Sequence, residues 1–271
     1  MIKLQNLHTH TLYCDGTLTL EEMVQAAIRK GCASLGFSGH SYASFDYGYC
    51  MTEENTLRYM EELKQLKDKY SDEIELFLGI EQEYYADNVV GDFDYILGSV
   101  HFVKKGDDLI NVDGDAEELE QSVDEKYGGD YYALVENYYE TIADVVIKTK
   151  ADIVGHFDIV SKFNIKGSLF DEAHPRYVSA ALLSMEQILK NHRLFEVNTR
   201  PMYKLGKQEP YPSVFLLKEL NKRGGEVILS SDSHEAESIC YKFSEMQELL
   251  KICGFNYAKQ LTKNGFVDVK L

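Results

Sequence analysis

Eight histidines occur in this chain of 271 residues, and six of them stand where chemistry could be done. His8, His10, His40, His101, His156 and His234 each follow directly on a run that reads as a β-strand. Three carboxylates share the habit. Glu81 closes Leu-Gly-Ile-Glu, Asp232 follows Ile-Leu-Ser-Ser, and Asp15 sits on the loop after the first strand in Tyr-Cys-Asp-Gly. Imidazole nitrogens and carboxylate oxygens are ligands of borderline divalent ions such as Zn²⁺, Mn²⁺ and Fe²⁺. One zinc takes three or four protein ligands, so nine donors are too many for one ion and suit two or three, above all where a carboxylate bridges. Two ions about 3.5–4 Å apart can hold a hydroxide between them and clamp phosphoryl oxygens.

Each donor also has a plain explanation. A lone histidine after a strand can be a hydrogen-bonded loop residue, Asp15-Gly16 a turn, and Asp232-Ser-His234 an Asx-capped turn. Glu81 could be a salt-bridge partner at the mouth of a barrel. These explanations do not account for six histidines all following strands. The other two, His174 and His192, flank one helical stretch and read as helix surface. In His8-Thr-His10 the two imidazoles share a side, because strand side chains alternate.

The elements that must position these groups alternate regularly. Strands are expected at 3–7, 34–38, 75–80, 93–100, 152–155, 194–197 and 226–230, and helices at 20–30, 52–70, 131–148, 175–191, 213–223 and 244–253. Thr17 or Thr19 and Thr52 are N-cap candidates, Pro175 suits a first helical position, and Gly224-Gly225 a helix end. Strict β–α alternation argues for an α/β fold with a parallel sheet and outer helices. Seven such units suggest a closed or nearly closed barrel, with a doubly wound open sheet as the alternative. In a parallel barrel every strand C-terminus opens on one face, so the six imidazoles should meet there. We expect one domain over 1–271, with an acidic inserted loop at about 104–130. The tyrosines at 127, 131, 132, 138 and 139 read as core and rim packing.

Composition narrows the classes further. Hydrophobic residues make up 44% and charged residues 27%, a globular balance. No apolar run reaches membrane-spanning length, and the start, Met-Ile-Lys-Leu-Gln-Asn-Leu-His, lacks a signal-peptide core, so the cytosol is expected. The net charge of −17 repels nucleic acid and anionic lipid, so neither nucleic acid nor a membrane is an expected partner. Bound cations would give a small phosphate ester the local positive charge it needs. The five cysteines are scattered, odd in number and without a Cys-x-x-Cys pair, which suits reduced thiols. No motif fixes an oligomeric state.

In this order, His8-Thr-His10, Asp15-Gly16, Gly39-His40, Gly79-Ile-Glu81, Gly98-Ser-Val-His101, Gly155-His156 and Asp232-Ser-His234 resemble the polymerase and histidinol phosphatase (PHP) family. The resemblance implies a distorted (β/α)7 TIM-like barrel with three divalent metal ions (Zn, Mn or Fe). Carried over position by position, His8, His10, Glu81 and Asp232 would hold the first ion. Glu81 would bridge to the second, held also by His101 and His156, and Asp15, His40 and His234 would hold the third. Some members carry histidine where this chain has Asp15, so the carboxylate here adds a negative charge. The size, with no polymerase module, looks like the stand-alone histidinol-phosphate phosphatase branch. That branch grips phosphate with basic residues, for which Arg200 and then Lys162 are the candidates here.

The implied activity is a metal-dependent phosphomonoesterase acting on L-histidinol phosphate in histidine biosynthesis. A metal-bridging hydroxide would attack phosphorus, with Glu81, Asp232, His234 and Arg200 at the reacting centre. Ser230, Ser231 and Ser233 neighbour the site without any mark of an activated nucleophile. Tyr42, Phe102 and Glu83 are positional candidates for the alcohol half of the substrate. The alternatives are a phosphatase of another small ester or of phosphotyrosine, an amidohydrolase, and a non-catalytic metal-binding protein. No strand offers the mid-barrel lysine that an amidohydrolase usually wants.

Overall fold

The computed structural model describes residues 3–46, 48–87 and 91–271. The first half supplies β1 (Gln5–Asn6), α1 (Leu20–Arg29), β2 (Ser34–Phe37), α2 (Glu53–Lys69), β3 (Glu75–Glu83) and β4 (Tyr95–Ser99). Local chemistry fixes the helix starts. Thr19 caps α1 in a capping box, its hydroxyl accepting from the Glu22 amide while the Glu22 carboxylate accepts from the Thr19 amide. Thr52 caps α2 through the Asn55 amide.

The acidic loop expected at about 104–130 is instead structured. It forms a hairpin of β5 (Phe102–Lys105) and β6 (Asp108–Asn111), followed by α3 (Ala116–Tyr127). Most of its acidic residues face solvent and Asp113 turns into the mouth, while Val103, Ile110, Val112, Leu119 and Val123 are buried in the main core. Those five apolar anchors are spaced too irregularly for a period to stand out among the charges. The helix expected at 131–148 is two, α4 (Tyr131–Ile142) and α5 (Val145–Thr149), broken at Ala143–Asp144. Tyr138 and Tyr139 are fully buried, as core packing requires.

The second half runs β7 (Ile153–Val154), α6 (Pro175–Leu189), β8 (Leu194–Asn198), α7 (Arg200–Lys204), α8 (Val214–Lys222), β9 (Glu226–Ser230), α9 (Phe243–Ile252), β10 (Tyr257–Thr262) and β11 (Gly265–Lys270). Three features were not anticipated. His174 caps α6, its Nδ1 accepting from the Arg176 amide, and stacks on Tyr132. A single-turn helix starts at Arg200. A terminal β-hairpin follows α9, turning at Lys263-Asn264 with Gly265 at φ 96°, a left-handed conformation that suits glycine.

Seven strands form one sheet in the order β1-β2-β3-β4-β7-β8-β9, and every neighbouring pair is parallel. Thr9 bridges Ser233 in parallel, with His10 N donating to Ser233 O at 2.8 Å and Ser233 N to His8 O at 2.9 Å. These bonds join the first strand to the last, so the sheet is a seven-stranded, nearly closed TIM-like barrel and the doubly wound alternative falls away. Leu7, Phe77, Tyr95, Leu97, Ile153, Leu194 and Ile228 fill the barrel, and Leu261 of the terminal hairpin closes it from below. The bottom is therefore sealed and apolar, and the C-terminal mouth remains for chemistry. Among the described residues no helix is long and apolar enough to cross a membrane.

Candidate metal centre

The chain delivers its donors to the mouth by short steps off the strand ends. His8 and His10 leave β1 on either side of Thr9, and Asn6 Nδ2 ties the His8 carbonyl and the Thr9 hydroxyl. His40 leaves β2 through Gly39. Glu81 lies within β3, which runs three residues beyond its expected end, to Glu83. His101 follows β4, and His156 leaves β7 through Gly155. That glycine is obligatory for a spatial reason: a Cβ there would lie 2.4 Å from Ser99 Oγ, which donates to Glu81 Oε1 at 2.6 Å. Asp232 and His234 follow β9, with Asp232 held at φ 47°, a conformation few residues other than glycine tolerate. All nine expected donors converge on one pocket. Eight are buried, and Asp15 lies at the solvent edge.

Glu81 is the hub. Its Oε2 lies 3.1 Å from His8 Nε2, 3.4 Å from His10 Nε2 and 3.0 Å from His40 Nδ1. Its Oε1 lies 3.0 Å from His156 Nε2 and 3.4 Å from His101 Nε2. Asp232 Oδ1 is 3.3 Å from His10 Nε2 and 3.6 Å from His8 Nε2. Asp15 Oδ2 is 2.9 Å from His234 Nε2, and its Oδ1 is 3.6 Å from His40 Nε2. Three overlapping groups have donor atoms within 4.8 Å of one another: His10, Asp15, His40 and His234; His8, His10 and Asp232; and His40, Glu81 and His101.

These separations test whether a cation fits. Four ligands placed tetrahedrally at about 2.0–2.1 Å from one ion lie about 3.3–3.4 Å apart. His8 Nε2, His10 Nε2, Glu81 Oε2 and Asp232 Oδ1 lie 3.1, 3.4, 3.6 and 3.3 Å apart across their four nitrogen–oxygen pairs. At those distances His8 Nε2, His10 Nε2 and Asp232 Oδ1 are buried yet form no hydrogen bond. Atoms that crowd together without bonding, in a buried site, are arranged for something between them. The nearest sulfur, Cys14 Sγ, is 3.5 Å from His10 Nδ1, but burial pushes that thiol up to about 12 and leaves a nitrogen and oxygen donor set.

The protonation pattern reflects the crowding. Burial and the neighbouring His234 and His40 pull His10 down to about 3. Burial also opposes charge on His40, but Glu81 and Asp15 overcome it and raise it to about 9. His8 is raised in the same way by Asp232, Glu81 and Glu196. Burial works against ionised Glu81, yet His8, His40 and His101 hold it well below the carboxylate range.

Two supporting carboxylates complete the site. Glu83, a positional candidate for the alcohol half of a substrate, instead accepts from His101 Nδ1 at 2.9 Å and from the His101 amide at 2.8 Å. Glu196, which sequence reasoning missed, accepts from His8 Nδ1 at 2.9 Å and also from the His156 amide and Ser230 Oγ. Its signal was present: a charged residue inside the buried strand Leu-Phe-Glu-Val-Asn. Such partners orient imidazoles toward a metal. Glu196→Gln is expected to weaken metal affinity by about 10–100-fold, read by titration in metal buffers. An unchanged affinity would make Glu196 a packing residue only.

A cavity of about 290 Å³ opens above the cluster. Arg200 lines it, with one guanidinium nitrogen donating to the Asp232 carbonyl at 2.9 Å. Lys162 also lines it but is tied to Asp113 Oδ1 at 2.7 Å. Lys204, one helical turn beyond Arg200, lines it too. It went unseen because the short α7 was not anticipated.

A parallel barrel whose mouth gathers imidazoles and carboxylates in this geometry is a divalent-metal-binding barrel. The PHP domain family model matches residues 6–200, and the chain belongs to that family. A probable histidinol-phosphatase of Deinococcus radiodurans is 28% identical, over 94% of this chain and 95% of its own. The histidinol-phosphatase of Bacillus subtilis is 24% identical, over 89% of this chain and 97% of its own. Among solved structures, a putative histidinol phosphatase of Listeria monocytogenes superposes with a TM-score of 0.76 at 19% identity, covering 89% of this chain and 99% of its own. The histidinol phosphate phosphatase of Lactococcus lactis, solved with Zn, L-histidinol and phosphate, has a TM-score of 0.70 at 20% identity, over 98% of this chain and 100% of its own.

Proposed function

We propose that this protein is a metal-dependent phosphomonoesterase and that L-histidinol phosphate is its substrate. The observation that carries the reading is the Glu81-centred cluster at the floor of a small cavity that Arg200 overhangs. Full-length similarity to histidinol-phosphatases supports the choice of ester. We assign three ions, of Zn, Mn or Fe. His8, His10, Glu81 and Asp232 hold the first; Glu81, His101 and His156 the second; Asp15, His40 and His234 the third. When bound, the ions supply Lewis-acid charge to the phosphoryl oxygens and lower the pKa of the attacking water.

The chain's own residues do the rest. Glu81 presents one oxygen to each of two neighbouring groups and so sets their spacing. Glu196, Glu83 and Ser99 hold the donors so that little reorganisation is needed as charge develops. Among the described residues the Arg200 guanidinium is engaged by the Asp232 carbonyl through one nitrogen, and its planar fork can meet phosphate oxygens in a bidentate way. Lys162 is partly neutralised by Asp113 and adds less. The cavity suits a small ester, and the net charge of −17 disfavours a polynucleotide.

Metal uptake should be coupled to proton release. His8 and His40 hold protons above the usual histidine range before a cation binds, and a ligating imidazole must give its proton up. Affinity is therefore expected to rise with pH through neutrality. Calorimetry in buffers of different ionisation enthalpy would measure the protons released, and uptake without proton release would contradict the assignment.

The substrate is tested by phosphate release from L-histidinol phosphate, a nucleoside monophosphate and phosphotyrosine, each with metal-loaded protein. A strong preference for histidinol phosphate is expected. Equal rates across the three would keep the phosphatase and remove the substrate assignment.

A further inference from the structure

We infer that Cys32 and Cys240 are a redox-active dithiol that closes to a disulfide under peroxide, stapling the loop after β9 to the end of α1. The two are 208 residues apart in sequence, yet their Sγ atoms lie 3.7 Å apart. A disulfide needs about 2.05 Å, so the sulfurs must approach by about 1.7 Å.

The surroundings differ from those of an inert buried thiol. Cys32 follows the left-handed Gly31 that ends α1, and its amide is fixed to the Ala27 carbonyl at 3.0 Å. Cys240 sits at φ 55°, a backbone conformation that disfavours a side chain. Strain of this kind tends to mark functional positions. The Cys240 amide donates to Ser231 Oγ at 3.0 Å, and Ser231 Oγ lies 2.8 Å from Ser233 Oγ. The pair is thus one hydrogen bond away from the residues that flank Asp232.

A cation stands beside the sulfurs. Lys30 Nζ donates to the carbonyls of Glu237 at 2.6 Å and Ile239 at 2.9 Å, both on the Cys240 loop. The Cys32 thiol is lowered from its ordinary range, first by the hydrogen bond from Cys240 and then, against burial, by Lys30. Burial pushes the Cys14, Cys50 and Cys253 thiols up. Cys32 is buried but Cys240 is half-buried, and a low-pKa thiol beside a cation and a partly exposed second thiol is the arrangement that peroxide oxidises selectively.

The chemistry balances. The Cys32 thiolate attacks one peroxide oxygen, the O–O bond breaks, and a sulfenic acid and hydroxide form. The Cys240 sulfur then attacks the sulfenic sulfur, the S–S bond forms, the S–O bond breaks, and water leaves with the Cys240 proton. Two thiols lose two electrons and one peroxide is reduced to water. A dithiol reductant reverses the change.

The test uses the whole protein and no substrate, so its outcome is independent of the proposed function. The chain is treated with hydrogen peroxide, unfolded in denaturant containing N-ethylmaleimide so that every remaining thiol is labelled, and mapped by peptide mass spectrometry. The expected product is a Cys32–Cys240 linked peptide, an intact mass lower by two hydrogens, and alkylation of Cys14, Cys50 and Cys253. Dithiothreitol should restore two alkylatable thiols, and Lys30→Met should slow linkage several-fold. Alkylation of both cysteines after peroxide, or their separate conversion to sulfinic acids, would overturn the inference. Cys32→Ser and Cys240→Ser are expected to give no link, and the wild-type map decides the matter even if either variant folds poorly.

Discussion

Glu81→Gln is expected to lower phosphate release on the order of 10³-fold or more and to reduce the metal retained after gel filtration. The size of the effect follows from the position. Both Glu81 oxygens serve, with Oε2 facing His8, His10 and His40 and Oε1 facing His101 and His156. Glutamine keeps the volume but replaces one oxygen with an amide that has no ligating lone pair. It also removes one of the charges that keep His8 and His40 above their usual range. The check pairs steady-state rates with metal analysis by plasma mass spectrometry. Full activity with full metal content would remove Glu81 from the bridging role.

Arg200→Ala should separate binding charge from metal holding. The expected loss in kcat/KM is about 10²–10³-fold, the range seen when one preorganised donor to a developing anion is removed. Metal content should stay near the wild-type value, because the Arg200 side chain donates to the Asp232 backbone carbonyl and not to a ligating oxygen or nitrogen. Lys162→Ala should lose less, within about tenfold, because its ammonium is already engaged by Asp113 and a partly exposed ion pair of this kind is worth little. The order of the two losses is the informative result. A larger effect at Lys162 would move the phosphate to the other side of the cavity.

The fold and the convergence of the nine candidate donors were readable for the same reason. In a parallel barrel the chemistry sits at strand C-termini, and the strands announce themselves as short apolar runs between longer amphipathic ones. β9 and β2 lie within a residue of their expected bounds, and Thr19 and Thr52 cap their helices as their side chains suggest. What escaped depends on tertiary pairing. The hairpin and α3 within residues 102–127 draw their order from five buried core residues set among many acids. The terminal hairpin carries a readable turn at Asn264-Gly265, but its strands are half exposed and belong to no β–α unit. Glu196 looks like one charge in a strand until the fold shows His8 arriving from the far end of the chain. Glu83 shows the opposite problem, since position alone aimed it at substrate and geometry gives it to His101. The Cys32–Cys240 approach is invisible to spacing, because it joins residues from opposite ends of the chain across the seam where the barrel closes.

The most direct test of the central claim is a metal titration of chelator-stripped protein, followed at once by bound metal and by phosphate release from L-histidinol phosphate. The account requires negligible release from the stripped chain and activity that climbs to a plateau as three equivalents of Zn²⁺ or Mn²⁺ bind. Stripped protein that hydrolyses the ester at the full rate, or metal-saturated protein that does not hydrolyse it at all, would contradict it.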